Sequence, residues 1–287
     1  MKTANRLTAA MVISTPLTVV GAWGRIYLGC LLILGCSVSA CATTSTAGTP
    51  DGERSYREFQ LAASLRDEGQ TASAIDHLRK ALDLDPTNAE AHLLLGFIQM
   101  ERQSYTEAEE HLSTAIDLFE KQKRDGAALA EARNIYGLCL IQLGRYDDAI
   151  EVLRESANDE LNTAPHLAWG NLGLAQFELG EYQETVKSTM EAVRIQPRFC
   201  VGYLTMGRAL TRMELWPDAE KALVQAIEAD PSCNDSPALQ AAWRLRGEVR
   251  AHLGHHRDAV ADLERCVELA PFTNDGRMCQ SMLEVPR

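Results

Sequence analysis

The segment from His166 to Phe199 reads HLAWGNLGLAQFELGEYQETVKSTMEAVRIQPRF, and its internal spacing restricts the chain to paired helices. Trp169, two residues, then Leu172-Gly173 make a W-x2-L-G opening, where a small residue lets a second helix approach the first. Gly180 falls where the first helix must stop, because glycine accepts the backbone of a tight turn. Tyr182 restarts the apolar pattern and Ala192 is a small contact residue. Pro197 ends the second helix, since its ring cannot continue one. The same pattern recurs at five other places in the chain.

Aligning the copies on their small eighth residue gives starts at Ser55, Ala89, Ala130, His166, Cys200 and Gln240, spaced by 34, 41, 36, 34 and 40 residues. The eighth position holds Ala62, Gly96, Gly137, Gly173, Gly207 and Gly247. Position 20 holds Ala74, Ala108, Ala149, Thr185, Ala219 and Ala259; position 24 holds Leu78, Leu112, Leu153, Thr189, Leu223 and Leu263. Gly69, Gly144, Gly180 and Gly254 mark turns, and Pro86, Pro197, Pro231 and Pro271 close four copies. This is the tetratricopeptide (TPR) signature, and it implies an all-α solenoid of about six helix pairs in a right-handed superhelix. The expected organisation is a leader over 1–40, a flexible tether over 41–54 and repeats at 55–88, 89–122, 130–163, 166–199, 200–233 and 240–273. A cap and tail over 274–287 follow, with a capping helix from Asn274 to Leu283. Insertions after Gln122, around Ala164-Pro165 and at Asn234 to Leu239 lengthen a helix or a loop. Thr185, Thr189 and Arg246 depart from the pattern.

The first forty residues differ in character. Between Leu7 and Ala40 the single charge is Arg25, and Ile26 to Gly35 is an unbroken apolar and small run. A positive charge, a short apolar core and small residues before a cut site make a signal-peptide layout. Val38-Ser39-Ala40-Cys41 resembles a bacterial lipobox, which makes Cys41 the acylated N-terminus; Ile33-Leu34-Gly35-Cys36 is a looser match because Leu34 is bulky. A plain transmembrane anchor is the alternative, but Ile26 to Ala40 is shorter than the ~20 apolar residues that span a bilayer. A start codon placed upstream of the true one would also account for the long leader. The polar stretch ATTSTAGTPDG after Cys41 reads as the tether.

The whole chain carries a formal charge of -12, and removing the three positives before Cys41 (Lys2, Arg6 and Arg25) leaves -15. Such a surface repels phosphate backbones and argues against nucleic-acid binding. Phosphate-loop, dinucleotide, zincin and nucleophile-elbow motifs are lacking, so neither an enzyme, a cofactor nor a small-molecule substrate is expected. His252, His255 and His256 form the one histidine cluster visible along the sequence, and no acidic or cysteine residue sits at a metal-like spacing from them, so no metal is expected.

In a TPR superhelix, positions 2, 5, 9 and 12 of each first helix line the concave face. Here they select Tyr56, Phe59, Leu93, Phe97, Met100, Asn134, Leu138, Ile141, Leu167, Leu174 and Phe177, an apolar strip with one amide. The last two repeats give a more polar and basic set, including Arg208 and Arg244. Exposed apolar patches of this size mark interaction sites, so the strip is expected to hold an amphipathic helix or extended peptide. A Phe97→Ala/Phe177→Ala variant is then expected to stay folded and lose its partner. Tight curvature that buries the same side chains is the competing reading.

Past the leader, five cysteines remain: Cys139, Cys200, Cys233, Cys266 and Cys279. Export implies an oxidising compartment, and the odd number leaves a thiol unpaired. Cys139 is expected as a buried thiol. Cys266 sits at a small position facing whatever covers the last repeat, and Cys279 lies in the cap, so a Cys266–Cys279 bridge is the hypothesis, with Cys200–Cys233 as the next pairing to examine.

The stretch Asn134-Ile135-Tyr136-Gly137, the acidic insertion Ser156-Ala157-Asn158-Asp159-Glu160-Leu161 and Asn171-Leu172-Gly173-Leu174 together resemble the type IV pilus pilotin lipoproteins, the PilF/PilW/Tgl family. The resemblance spans the exported part of the chain, and the long leader and extra cysteines depart from the simplest members. It implies a lipid-anchored, periplasm-facing outer-membrane protein of a Gram-negative bacterium that helps pilus secretin subunits assemble, in service of twitching or social motility. Of the family's functional residues, the lipid cysteine alone carries over, to Cys41. A generic envelope TPR scaffold, such as an adaptor for cell-wall enzymes, is the other reading, because one repeat fold serves many partners.

Overall fold

The computed structural model describes residues 48–123 and 126–284; the leader, Cys41, residues 124 and 125 and the last three residues lie outside the described residues. Six antiparallel helix pairs follow one another: α1 (Pro50–Asp67) with α2 (Thr71–Leu84), α3 (Ala89–Glu101) with α4 (Tyr105–Gln122), and α5 (Gly126–Gln142) with α6 (Tyr146–Asn158). Then come α7 (Pro165–Leu179) with α8 (Tyr182–Ile195), and α9 (Cys200–Arg212) with α10 (Trp216–Glu228). A short α11 (Pro231–Asn234) and a 3-10 turn (Pro237–Leu239) lead to the pair α12 (Gln240–His252) and α13 (His256–Leu269), and α14 (Asn274–Glu284) packs on both. No strand occurs among the described residues.

Every pair turns in the same way. One or two residues past the end of each first helix the chain has positive φ: Gly69, Gly144, Gly180 and Gly254 at 77–86°, but Gln103 at 60° and Glu214 at 59°. The next amide reaches back five residues to the helix, as in Gln70 N–H to the Leu65 carbonyl at 2.8 Å and Leu215 N–H to the Leu210 carbonyl at 3.0 Å. These bonds satisfy carbonyls the helix end would leave orphaned. Within each pair the eighth residue faces position 24. A Cβ on Gly96 or Gly207 would stand 2.7 Å from Leu112 or Leu223, so a larger residue there would force the helices apart.

First helices of successive pairs also pack on one another, which makes them the inner layer of the superhelix. Buried apolar side chains form a nearly continuous core: Leu78, Leu94 and Ile98 join the first two pairs, Leu112, Phe119 and Leu138 the next, and Leu140, Leu153 and Leu172 the third and fourth. Leu223, Ile227, Trp243 and Leu263 join the last two. The fourth pair interrupts the series, because the buried residues of α8 are Thr185, Ser188, Thr189 and Ala192. Thr185 and Thr189, which broke the sequence pattern, spend their hydroxyls on carbonyls of their own helix: Thr185 Oγ1 donates to Glu181 O at 3.0 Å and Thr189 Oγ1 to Thr185 O at 2.7 Å.

Arg246, the third departure, is buried and held by Asp262. Its Nε and Nη2 donate to the two carboxylate oxygens at 3.0 and 2.7 Å, and Arg250 Nη1 donates to Asp262 at 2.9 Å. The fork geometry pins α12 to α13, and loss of one partner would strand a charge inside the protein. Two disulfides are present: Cys266–Cys279 (S–S 2.01 Å) joins α13 to α14, and Cys200–Cys233 (2.14 Å) joins α9 to α11.

Two sequence boundaries move. The first helix starts at Pro50, so residues 50–54 of the expected tether are helical, with Thr49 as cap: its side chain accepts from Gly52 N–H. Proline at the first helical position and acidic Asp51 and Glu53 in the first turn favour that start. The insertion after Gln122 is absorbed by long α4 and α5, of 18 and 17 residues, whereas that before Pro165 is a loop.

Candidate partner-binding surface

The expected concave strip is part of the core rather than an open groove. Phe59, Leu93, Phe97, Met100, Leu138, Ile141 and Phe177 are all buried, Phe97 to 3% and Phe177 to 8% exposure. Neighbouring first helices pack directly on one another, so side chains at positions 5, 9 and 12 fill the seams between them. Tyr56 remains exposed at 49%, while Asn134, Leu167 and Leu174 are half-buried. Asn134 Oδ1 accepts from Asn171 Nδ2 at 3.0 Å across the third and fourth pairs.

Charged side chains lie over this apolar floor. The Arg66 guanidinium sits 4.5 Å from the Phe97 ring centre and Arg208 4.0 Å from that of Phe177, each a cation–π contact. Burial pushes the Glu131 carboxyl of α5 above its ordinary range, and the charge of Arg66 on α1 opposes that rise. Burial likewise lowers Arg208, with Glu178 opposing at 3.4 Å and Arg212 and Arg244 adding to the fall. Arg244 is itself held by Asp275 of α14 at 2.6 Å. The inner face is therefore polar and partly basic at its C-terminal end.

An accessible cleft with apolar residues in its lining lies on another side, between α6, α7 and α8. A cleft of ≈ 390 Å³ is lined by Trp169, Leu172, Gln176, Met190, Arg154 and Lys187, among others. Met190 is 55% exposed, and Gln176 Oε1 accepts from Ser188 Oγ at 2.7 Å on the cleft wall. Lys187 pairs with Glu184 at 2.6 Å, so charges of both signs rim an apolar patch. Trp169 of α7 is half-buried where it meets the cleft. Sequence reasoning missed this place: Thr185 and Thr189, the departures it noted in this repeat, are buried and do not line the cleft.

Cys139 is buried, and burial pushes its thiol up to about 12; its Sγ donates to the Tyr105 carbonyl at 3.2 Å. It is therefore an inert core residue at neutral pH. Cys41 lies outside the described residues. No group of three or more metal-ligating side chains occurs among the described residues, and no described helix is long and apolar enough to cross a membrane.

Family models described as tetratricopeptide repeat match residues 65–132, 122–165, 166–199 and 204–273. The type IV pilus assembly protein PilF of Pseudomonas aeruginosa is 27% identical over 175 residues, covering 58% of this chain and 67% of that protein. The BBSome complex member BBS4 of Bos taurus is 24% identical over 251 residues, 76% of this chain but 46% of its own length, so the chain spans about half of that relative. Among solved structures, PilW, titled a widely conserved type IV pilus biogenesis factor, aligns with TM-score 0.66 at 20% identity over 79% of this chain and 98% of PilW. The PilF structure aligns with TM-score 0.65 over 82% of this chain and all of PilF, also at 20% identity. The chain is thus similar in sequence to PilF, and in fold to both PilF and PilW, which are type IV pilus TPR proteins. Six stacked helix pairs with their contact glycines, turn geometry and family-model matches establish that this chain belongs to the tetratricopeptide-repeat family.

Proposed function

We propose that this chain is a pilotin, an outer-membrane TPR lipoprotein that helps the type IV pilus secretin assemble by binding its subunits. The observation that carries the reading is the match to PilF in sequence, joined to a shared fold over nearly the full length of PilF and PilW. Lipid on Cys41 would hold the protein at the membrane surface facing the periplasm, and the two disulfides suit such an oxidising compartment. No bond is made or broken: the protein raises local subunit concentration and shields apolar segments until they assemble. The cleft between α6, α7 and α8 replaces the buried concave strip as the binding surface. Its Trp169 and Met190 face an apolar segment, and its mixed charges orient one.

A Met190→Glu/Lys187→Glu variant of the lipidated protein tests both parts. Both side chains are exposed, so helical circular dichroism and melting should be unchanged. Secretin capture should fall at least tenfold and heat-stable multimers should be lost, the same loss expected of a deletion strain. Normal multimers with this variant would move the site off the cleft; normal pili in the deletion strain would remove the pilotin reading altogether. Intact-mass analysis of the same preparations should find acyl chains on Cys41, and an unmodified terminus would sink the lipid assignment. The similarity to BBS4 at a comparable identity shows that the repeat is not confined to pilus proteins, and the alternative, a general envelope scaffold, predicts that pili persist on deletion.

A further inference from the structure

Position 4 of the first helix and position 23 of the second face each other across a pair. In the first repeat they are Glu58 and His77, and His77 Nδ1 lies 2.6 Å from Glu58 Oε2. An acid and an imidazole meet there. In the second repeat the same two places hold His92 on α3 and His111 on α4, with their Nδ1 atoms 3.1 Å apart. Two bases therefore meet where the neighbouring repeat has a base and an acid.

The two rings are tilted by 43° to one another, with centroids 5.3 Å apart. His92 Nε2 lies 3.2 Å from the Pro86 carbonyl, and since a carbonyl can only accept, Nε2 carries the proton. Neutral His92 thus presents a bare Nδ1 to His111, with its other nitrogen anchored in the way metal-bound imidazoles are. Two nitrogens on one tetrahedral zinc ion stand ~3.3 Å apart, given Zn–N distances near 2.0–2.1 Å, close to the separation found here. Burial pushes both imidazoles below their ordinary range. Glu110 acts on both rings and Glu107 on His111, a negative field that favours an arriving cation. Both histidines remain half-buried rather than sealed, which leaves room for solvent ligands.

We propose that His92 and His111 form a two-imidazole site for a borderline divalent cation, Zn2+ foremost, bound through both Nδ1 atoms and completed by water. Imidazole donors suit Zn2+, Cu2+ and Ni2+ over Mg2+ or Ca2+. On binding, the proton that His111 Nδ1 shares with His92 moves to His111 Nε2, so neither ring changes charge. With no third protein ligand among the described residues the site is open and exchangeable, a sensing or bridging site rather than a folding core. An open coordination position of this kind can also be filled by a donor from a protein bound alongside.

Titration calorimetry of tag-free, full mature protein with zinc chloride at pH 7.5 tests this. One ion per chain is expected, with His92→Gln and His111→Gln each weakening binding at least tenfold and His77→Gln leaving it unchanged. Absence of binding, or binding that survives both substitutions because another cluster such as His252, His255 and His256 takes the metal, overturns the proposal. Should the variants melt early, wild-type protein loaded with one Cu2+ decides: hyperfine splitting from two imidazole nitrogens in the paramagnetic resonance spectrum supports the pair, and its absence rejects it.

Discussion

Gln103 and Glu214 occupy, at φ 60° and 59°, the left-handed turn position that glycine fills in the other four repeats. A Cβ in that conformation is strained by roughly 1–2 kcal/mol, while glycine forfeits part of the gain through its freer unfolded chain. Gln103→Gly and Glu214→Gly should therefore each raise stability by about 0.5–1 kcal/mol, seen as a higher urea midpoint with unchanged slope. A lower midpoint for both would mean the turns are not strained. Residue-scale reading also corrects the concave strip. Truncating buried Phe97 or Phe177 to Ala removes core packing worth about 3–5 kcal/mol, so loss of partner binding in such variants would report unfolding rather than recognition. The periodic pattern identified these residues as facing inward, and it holds no information on how tightly the inner face closes.

At the scale of elements, α14 stands on its own outside the repeats and covers the end of the stack. Cys266 and Cys279 are fully buried at its contact with α13, and Arg244 reaches Asp275 on its first turn. Closing a loop of 13 residues' separation contributes roughly 3 kcal/mol in the chain-entropy model. A Cys266→Ala/Cys279→Ala variant should melt lower and be cut by protease within 274–284 before anywhere else, read by mass spectrometry of early fragments. Equal protease resistance in the variant and the native protein would show that packing alone holds the cap. The element was legible in advance because Cys266 sits where the repeat wants alanine. The companion bridge, Cys200–Cys233, depends on where α11 folds back at the end of the fifth repeat, which the repeat spacing does not set.

Across the whole molecule, stability of a solenoid is a sum of repeat and neighbour terms, so it fails first where a neighbour term is weakest. That place is α8, whose buried residues are small or polar and which contributes no buried leucine to either adjoining cluster. Amide hydrogen exchange should accordingly be faster in α8 than in α4, α6 or α10; uniform protection along the stack would contradict this. The same helix walls the accessible cleft, so the weak joint and the candidate binding surface coincide. The sequence by itself determined the helix pairs, their number, their turns and their contact glycines, because each is set by spacing within about 34 residues and by backbone sterics. Tertiary structure alone decided which side chains a partner can reach, and that His92 meets His111 at 3.1 Å. Both depend on the small rotation between successive pairs, which accumulates over the stack and is written in no single repeat.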